Sequence, residues 1–174
     1  DPRISQTVCV NDNLQPRTNN RPGGLPNEEF TNPIVDQATE DNCSTGFQRY
    51  KGTDPNYVKQ FNGMGDAGLI FFRYAEVLLT YAEAKAELGT ITQADLDLSI
   101  NKLRDRVQMP NLVLGSIVTD ANWGFPALSP IINEVRRERR IELAVEGFRH
   151  DDIWRWAAAD ELIIGKKPLG AKKA

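Results

Sequence analysis

The stretch Ile131–Trp156, IINEVRRERRIELAVEGFRHDDIWRW, decides the fold, because it has helical spacing and is dense in charge. This stretch has a glutamate at every fourth position, and on a helix the four would lie in one column: Glu134, Glu138, Glu142 and Glu146. Like charges four residues apart destabilise an isolated helix by roughly a few tenths of a kcal/mol per pair. Arginines from other helices would remove this penalty, so the stretch predicts a buried lattice of arginines and glutamates with Arg139 near its centre.

Composition indicates a globular domain and argues against several classes of function. The 174 residues suffice for one domain with a core. The 21 basic and 24 acidic side chains give a net charge of −3, which argues against nucleic-acid binding. No apolar run reaches the roughly 18 residues of a membrane span. Because the sequence starts at Asp1 without Met or a leader, we expect it to be a piece of a longer protein.

The two cysteines, Cys9 and Cys43, lie in loop-like sequence. They are too few for a disulfide framework and too far apart in sequence for a common zinc motif. A bridge between them in an oxidising compartment and two free thiols are both compatible with the sequence. We expect no metal and no cofactor.

The distribution of the turn-forming residues Pro, Gly, Asn and Asp divides the chain into three parts. We predict a loop-rich flank over 1–65, a helical core over 66–164 and a coil tail over 165–174. Within the flank, Ile4–Val10 alternates like a strand, and Phe47–Phe61 suits a hairpin or an extended pass over the core.

Two helices are predicted at the start of the core. The first begins at a cap on Asp66 and ends before Gly89, a typical C′ residue. The second begins with Thr92 and Asp95 in the manner of a capping box and is ended by Pro110. The short link predicts an antiparallel pair. The apolar stripe of the second helix is Leu96, Ile100, Leu103 and Val107.

A third helix is predicted to begin at a Ser129 cap, with Pro130 in its first turn, and to end near Gly147. A short fourth helix should open at Asp151 or Asp152 and contain both Trp154 and Trp156, of which at most one faces solvent.

Three helical motifs resemble those of the SusD/RagB family. The segment 72–84, FRYAEVLLTYAEA, resembles its RxAEvxLxyAEA helix, and 100–106, INKLRDR, followed by Met109-Pro110, resembles its iNxvRxRa helix. The segment 138–149, ERRIELAVEGFR, with the residues after it, resembles the family signature ERRxELaxEGxRxxDlxRW. The signature positions here are Glu138, Arg139, Arg140, Glu142, Glu146, Gly147, Arg149, Asp152, Arg155 and Trp156.

The resemblance covers almost the whole chain, because Asp1-Pro2-Arg3-Ile4 is similar to the upstream DPRL landmark and residues 46–61 to the GyxxxKf landmark. His150 stands where the family usually has Phe or Tyr. The sequence is similar to the C-terminal portion of such proteins, shortened at both ends.

The resemblance implies an all-α fold of tetratricopeptide-like helix pairs with long irregular loops. It further implies a non-enzymatic lipoprotein on the surface of the bacterial outer membrane, with the N-terminal lipid anchor outside this chain. Such proteins bind an oligosaccharide or polysaccharide, in some cases a peptide, and deliver it to a SusC-like TonB-dependent transporter. A nucleic-acid partner is not expected.

The candidate ligand site is the loop that holds Trp123 and Phe125, with Asn122 and Asp120 beside them. Sugar rings pack their C–H faces on aromatic side chains, and neighbouring amide and carboxylate groups accept hydrogen bonds from hydroxyls. These four residues are therefore the predicted sugar contacts. The opposing interpretation is that the loop aromatics tuck into the core.

Three other interpretations are weaker. Glu138 and Glu142 could form the carboxylate pair of a glycosidase, but neighbouring arginines would hold both ionised. His150 beside two aspartates could suggest catalysis, although acidic residues at a helix start explain the pattern better. The alternative function is a tetratricopeptide-like scaffold that binds a protein and no sugar.

Overall fold

The computed structural model describes residues 1–9, 48–49, 51–52 and 70–167. The chain forms two compact units, one of Asp1–Arg3 with Phe71–Lys166 and one of Ile4–Ile70 with Lys167–Ala174. The elements of the described residues are α1 Arg3–Thr7, β1 Val8–Cys9, β2 Gln48–Arg49, α2 Tyr74–Glu87, α3 Gln93–Leu98, α4 Ile100–Arg106, a 3₁₀ turn Leu114–Ser116, α5 Pro130–Glu142, α6 Arg149–Arg155 and α7 Ala159–Leu162.

Helices therefore dominate, and the two strands within the described ranges have two residues each. The predicted all-α class is confirmed. No helix among these residues is long and apolar enough to cross a membrane.

The core of the first unit forms where α2 packs against α5 and against the α3–α4 segment. Alanines on the buried face of α2 let the neighbouring helices approach closely, and Leu79 and Ala82 are fully buried. The apolar cluster consists of Ala75, Leu78, Leu79, Ala82, Ala86, Leu96, Ile100, Leu103, Leu112, Val135 and Leu143.

The predicted start of α2 at Asp66 is wrong, and its predicted end is confirmed. The helix begins after Arg73, whose backbone is extended and whose side chain is directed to acidic groups on other elements. Asp66 itself lies outside the described residues. At the other end Gly89 has φ +66°, and the Thr90 N–H donates to the Lys85 carbonyl, as in a Schellman motif.

The predicted second helix is two helices, α3 and α4. The capping box is present: the Asp95 N–H donates to the Thr92 hydroxyl, and the Thr92 N–H donates to the Asp95 carboxylate. The break falls at Ser99, whose hydroxyl donates to the Asp95 carbonyl at 2.5 Å and competes with the helical pattern.

Helix α4 ends earlier than Pro110 because of a left-handed residue. Gln108 has φ +57°, and the Met109 N–H donates to the Arg104 carbonyl. This arrangement closes the helix after Arg106, so the proline was not needed to end it.

The predicted third helix is α5, and its end was misplaced. Ser129 and Pro130 occupy the cap and first positions as predicted, although the Ser129 side chain makes no capping hydrogen bond. The helix stops at Glu142, because a turn with Val145 at φ +60° and Gly147 at φ +93° follows it.

The predicted fourth helix is α6, which begins at Arg149 and not at the following aspartates, and which ends at Arg155, so that Trp156 is its C-cap and lies outside the helix. Both Asp151 and Asp152 lie in its first turn, where acidic groups favour the helix dipole. The short helix α7 had not been predicted.

Residues Ile4–Thr7 were predicted as a strand and are helical. The Asp1 carboxylate accepts hydrogen bonds from the backbone N–H and Nε of Arg3, which supplies acceptors at the start of α1. Strand β1 pairs antiparallel with β2, Val8 opposite Arg49. The state of Cys9 and Cys43, and most of the predicted Phe47–Phe61 hairpin, lie outside the described residues.

Candidate functional site

The glutamate column of α5 is neutralised by arginines from other elements. Glu138 is 1% exposed and accepts charged hydrogen bonds from Arg104 at 2.6 Å and Arg3 at 2.8 Å. Glu142, also buried, is paired with Arg73 at 2.8 Å and Arg106 at 2.9 Å. The predicted lattice is therefore present, and it ties α5 to the chain start, to α4 and to the residue that precedes α2.

Arg73 extends this lattice to the end of the column, since its Nε donates to Glu146 at 2.6 Å. Burial alone would lower the pKa of the Arg73 guanidinium, but hydrogen bonds to Glu146 and Glu142 outweigh burial and raise it.

Arg139 belongs to a second network, on a different side of α5. It is 6% exposed, and its Nε donates to both oxygens of Asp152, at 2.8 and 3.0 Å. Asp152 also accepts from Arg155, which bonds Glu83 on α2. Arg139 is thus buried and paired as predicted, while Glu138 and Glu142 occupy the centre of the larger network.

Glu83 closes this second network. It accepts hydrogen bonds from Arg155 and, at 2.6 Å, from the indole Nε1 of Trp156. Burial would raise the pKa of the Glu83 carboxyl, but the hydrogen bonds from Arg155 and Trp156 outweigh burial and hold the pKa below its ordinary value.

The glycosidase interpretation is contradicted by this geometry. Glu138 and Glu142 are both buried, and each is bound by at least two guanidinium groups. A general acid must be protonated at the start of the reaction and reach the substrate oxygen. Neither carboxylate is placed to do so.

A stack of aromatic and cationic groups lies beside the second network. The Arg136 guanidinium carbon is 4.4 Å from the Phe125 ring centre and 4.5 Å from the Trp156 ring centre. The two rings themselves meet edge to face at 5.8 Å. Trp156 therefore packs on an arginine while Trp154 is 73% exposed, which confirms the prediction that at most one of the two faces solvent.

Phe125 is only 8% exposed, as in the opposing interpretation that the loop aromatics tuck into the core. Its backbone N–H donates to the Asn133 side chain and its carbonyl accepts from the same amide, at 3.2 and 2.8 Å. This clamp draws the loop onto α5 and turns the ring inwards, where cation–π contact with Arg136 stabilises it.

All four predicted sugar contacts nevertheless line one cavity of about 140 Å³. Trp123 is half-buried, and its Nε1 donates to Glu134 at 3.4 Å. The Asn122 N–H donates to Asp120 at 2.8 Å, which fixes the turn at the cavity edge. The complete lining is Asp120, Asn122, Trp123, Gly124, Phe125, Asn133, Arg136, Arg137, Arg140, Arg149 and Leu162.

A second cavity of about 540 Å³ adjoins the first along the loop 111–121. Asp120 and Arg137 line both cavities. The two cavities are therefore neighbours that share one acidic and one basic side chain.

Arg140 and Arg149 were interpreted as members of the structural signature only, and the structure places both on this cavity. A sequence signal existed: Arg136 and Arg140 are spaced four apart, which puts two like charges on one face of α5. The sequence analysis places Arg140 in the family signature and names neither of the two as a ligand contact.

His150 lies apart from these networks. It is exposed, and its Nε2 accepts a hydrogen bond from the Trp154 indole at 2.9 Å. Its Nδ1 is 3.5 Å from Asp151, an exposed contact at the start of α6. No cluster of three or more metal-ligating side chains occurs within the parts of the chain that the structure describes.

A family profile, a similar sequence and a similar solved structure all relate this chain to the same family. Residues 1–170 match the profile of the SusD family. A SusD-like protein of Formosa agariphila is 35% identical over 98 residues, which are 56% of this chain and 19% of that protein. The crystal structure of a SusD-like carbohydrate binding protein from Bacteroides fragilis superposes with a TM-score of 0.61 at 31% identity.

That structural match covers 93% of this chain and 30% of the Bacteroides fragilis chain. The chain thus spans less than a third of either relative. The family profile nevertheless extends over almost its entire length, and the all-α fold agrees with it. The chain belongs to the SusD family.

Proposed function

We propose that the protein of which this chain forms part binds a glycan at the surface of the bacterial outer membrane and delivers it to a SusC-like TonB-dependent transporter. It acts by non-covalent capture and carries out no chemical step on the sugar. A lipid anchor holds it at the membrane. Membership of the SusD family, matched over residues 1–170, is the observation that carries this proposal.

We further propose that the cavity of about 140 Å³ lined by Trp123, called the Trp123 cavity below, contacts the sugar, with Asp120 and Asn122 as hydrogen-bonding groups. A half-exposed indole beside a carboxylate and an amide has the chemistry of a sugar platform. Because Phe125 is buried, its part is to position the loop through Arg136. The Bacteroides fragilis relative is described as carbohydrate binding, which supports the same ligand class here.

Calorimetric titration of the whole protein against a panel of oligosaccharides tests both statements. Trp123→Ala should weaken binding about tenfold, since stacking contributes roughly 1 kcal/mol or more. Trp154→Ala is the matched control, because it removes an exposed indole on α6 away from the cavity. Equal losses in the two variants would exclude the cavity as the sugar contact.

Co-purification with the TonB-dependent transporter tests delivery. We expect the two proteins to co-purify as a complex. A stable transporter complex combined with no affinity for any glycan would instead favour a tetratricopeptide-like interaction scaffold.

A further inference from the structure

The Trp123 cavity is strongly basic. Its charged lining consists of one carboxylate and four guanidinium groups, which are Asp120 and Arg136, Arg137, Arg140 and Arg149. A site that bound only neutral sugars would need hydrogen-bonding groups but no excess of positive charge. The positive charge that a ligand would meet depends on which of these arginines already have a carboxylate partner.

Two of the four arginines have partners within the protein. Arg137 is bonded to Glu134 at 2.5 Å and lies 3.7 Å from Asp120. Arg136 donates through one terminal nitrogen to Glu87 at 2.9 Å. Their charge is thus largely balanced before any ligand arrives.

Arg140 and Arg149 differ from every other arginine in residues 70–167. Within that range each remaining arginine has a carboxylate oxygen within 4 Å; they are Arg73, Arg104, Arg106, Arg136, Arg137, Arg139 and Arg155. No ion pair or hydrogen bond to a carboxylate is made by Arg140 or Arg149 among the described residues. Both line the cavity, so their positive charge is available to a ligand there.

The two arginines also repel one another. Burial lowers the pKa of the Arg149 guanidinium and the nearby charge of Arg140 lowers it further, while the charge of Asp152 raises it but does not outweigh them. An anion bound between them would reverse this repulsion, because it would interact favourably with both guanidinium groups.

A third arginine on the cavity has an unsatisfied donor. Arg136 is buried between two rings, and its Nε–H has no hydrogen-bond acceptor. The Nε atom itself is enclosed, so it is not a contact for a ligand. The charged groups of the cavity without a carboxylate partner among the described residues are therefore Arg140 and Arg149.

We propose that this cavity binds the anionic substituent of an acidic glycan, either a uronate carboxylate or a sulfate ester, with Arg140 and Arg149 as its charged contacts. Guanidinium groups bind both anions through paired N–H donors, and Trp123 packs on the sugar ring that carries the substituent. The inference rests on the proposed glycan-binding function and specifies its ligand class.

Titration with three sets of oligosaccharides of similar length tests the inference: oligogalacturonates, sulfated carrageenan oligosaccharides, and neutral malto- and cello-oligosaccharides. We expect affinity for one acidic set, weakened by added sodium chloride because charged contacts are screened. Arg140→Gln and Arg149→Gln should each weaken that binding about tenfold, the loss expected for one charged hydrogen bond. The responding set distinguishes carboxylate from sulfate.

Lys102→Gln is the matched control, since it removes one positive charge from an exposed position on α4 outside the cavity. It should change affinity less than about twofold. Trp123-dependent binding of neutral glycans alone would overturn the acidic-ligand inference and leave the proposed function standing. Binding of no oligosaccharide in any set would overturn both, and an equal loss in Lys102→Gln would reduce the effect to overall charge.

Discussion

Two faces of α5 carry the same kinds of residue and do different things. On one face Glu138 is buried and bound by Arg3 and Arg104, so every charge has a partner from another element. On the other, Arg140 lines a cavity together with Arg149 from the start of α6, and neither arginine forms an ion pair or a hydrogen bond with a carboxylate in the described residues. Density of charge is therefore a poor guide to role; whether each charge is already neutralised separates the structural face from the candidate binding face.

The largest effect expected from this comparison is on the paired face. Glu138→Gln removes the most buried carboxylate of the network, the one that Arg3 and Arg104 share, and leaves Arg104 with Glu134 at 3.5 Å and Arg3 with Asp1 at 2.6 Å. We expect the free energy of unfolding to fall by roughly 3–5 kcal/mol, measured by urea denaturation. Glu161→Gln, at an exposed position on α7, is the control and should change stability by less than about 0.5 kcal/mol. Similar losses in both variants would mean that Glu138 has no special structural role.

A smaller loss is expected where a partner remains. Arg139→Met leaves Asp152 still paired with Arg155, so the carboxylate keeps one positively charged partner. We expect destabilisation of about 2 kcal/mol, the contribution of one charged hydrogen-bonding pair. Arg106→Gln is the matched control: its side chain is 51% exposed and Glu142 keeps Arg73, so it should cost less than about 1 kcal/mol. A larger loss in Arg106→Gln would place the structural centre nearer α4.

The buried face could be predicted because its signal is local and repetitive. A column of glutamates four residues apart has few stable solutions other than arginines from elsewhere, and these were found. The capping box at Thr92 and the left-handed Gly89 were predictable for the same reason, since each depends on two or three neighbouring residues.

Features that depend on distant residues could not be predicted. The start of α2 depends on Arg73 reaching Glu142 and Glu146, and the burial of Phe125 depends on Asn133 and Arg136. Nothing in the sequence of the loop itself indicates that Phe125 is buried, because its partners lie on α5. For the same reason the cavity arginines looked like lattice members, because sequence spacing does not say which face receives a partner.

Acid should weaken the second network through Glu83. Its folded-state pKa lies below the ordinary value of 4.5, so it contributes stability that is present above about pH 4.5 and lost as pH falls towards the folded pKa. Urea unfolding at a series of pH values should therefore show a fall in stability below pH 4.5 that is shallower in Glu83→Gln. Identical slopes for the two proteins would show that Glu83 is not held ionised by Arg155 and Trp156.

The smallest effect on stability is expected on the cavity face, and it completes the comparison. Arg140 has no carboxylate partner in the described part of the chain and is exposed, so Arg140→Gln removes no internal ion pair. It also relieves the repulsion that contributes to the lowered pKa of Arg149. The free energy of unfolding should change by less than about 0.5 kcal/mol in urea denaturation, in contrast to Glu138→Gln. A loss of about 2 kcal/mol or more would mean that Arg140 has a structural partner in the whole protein, and the distinction between the two faces of α5 would then disappear.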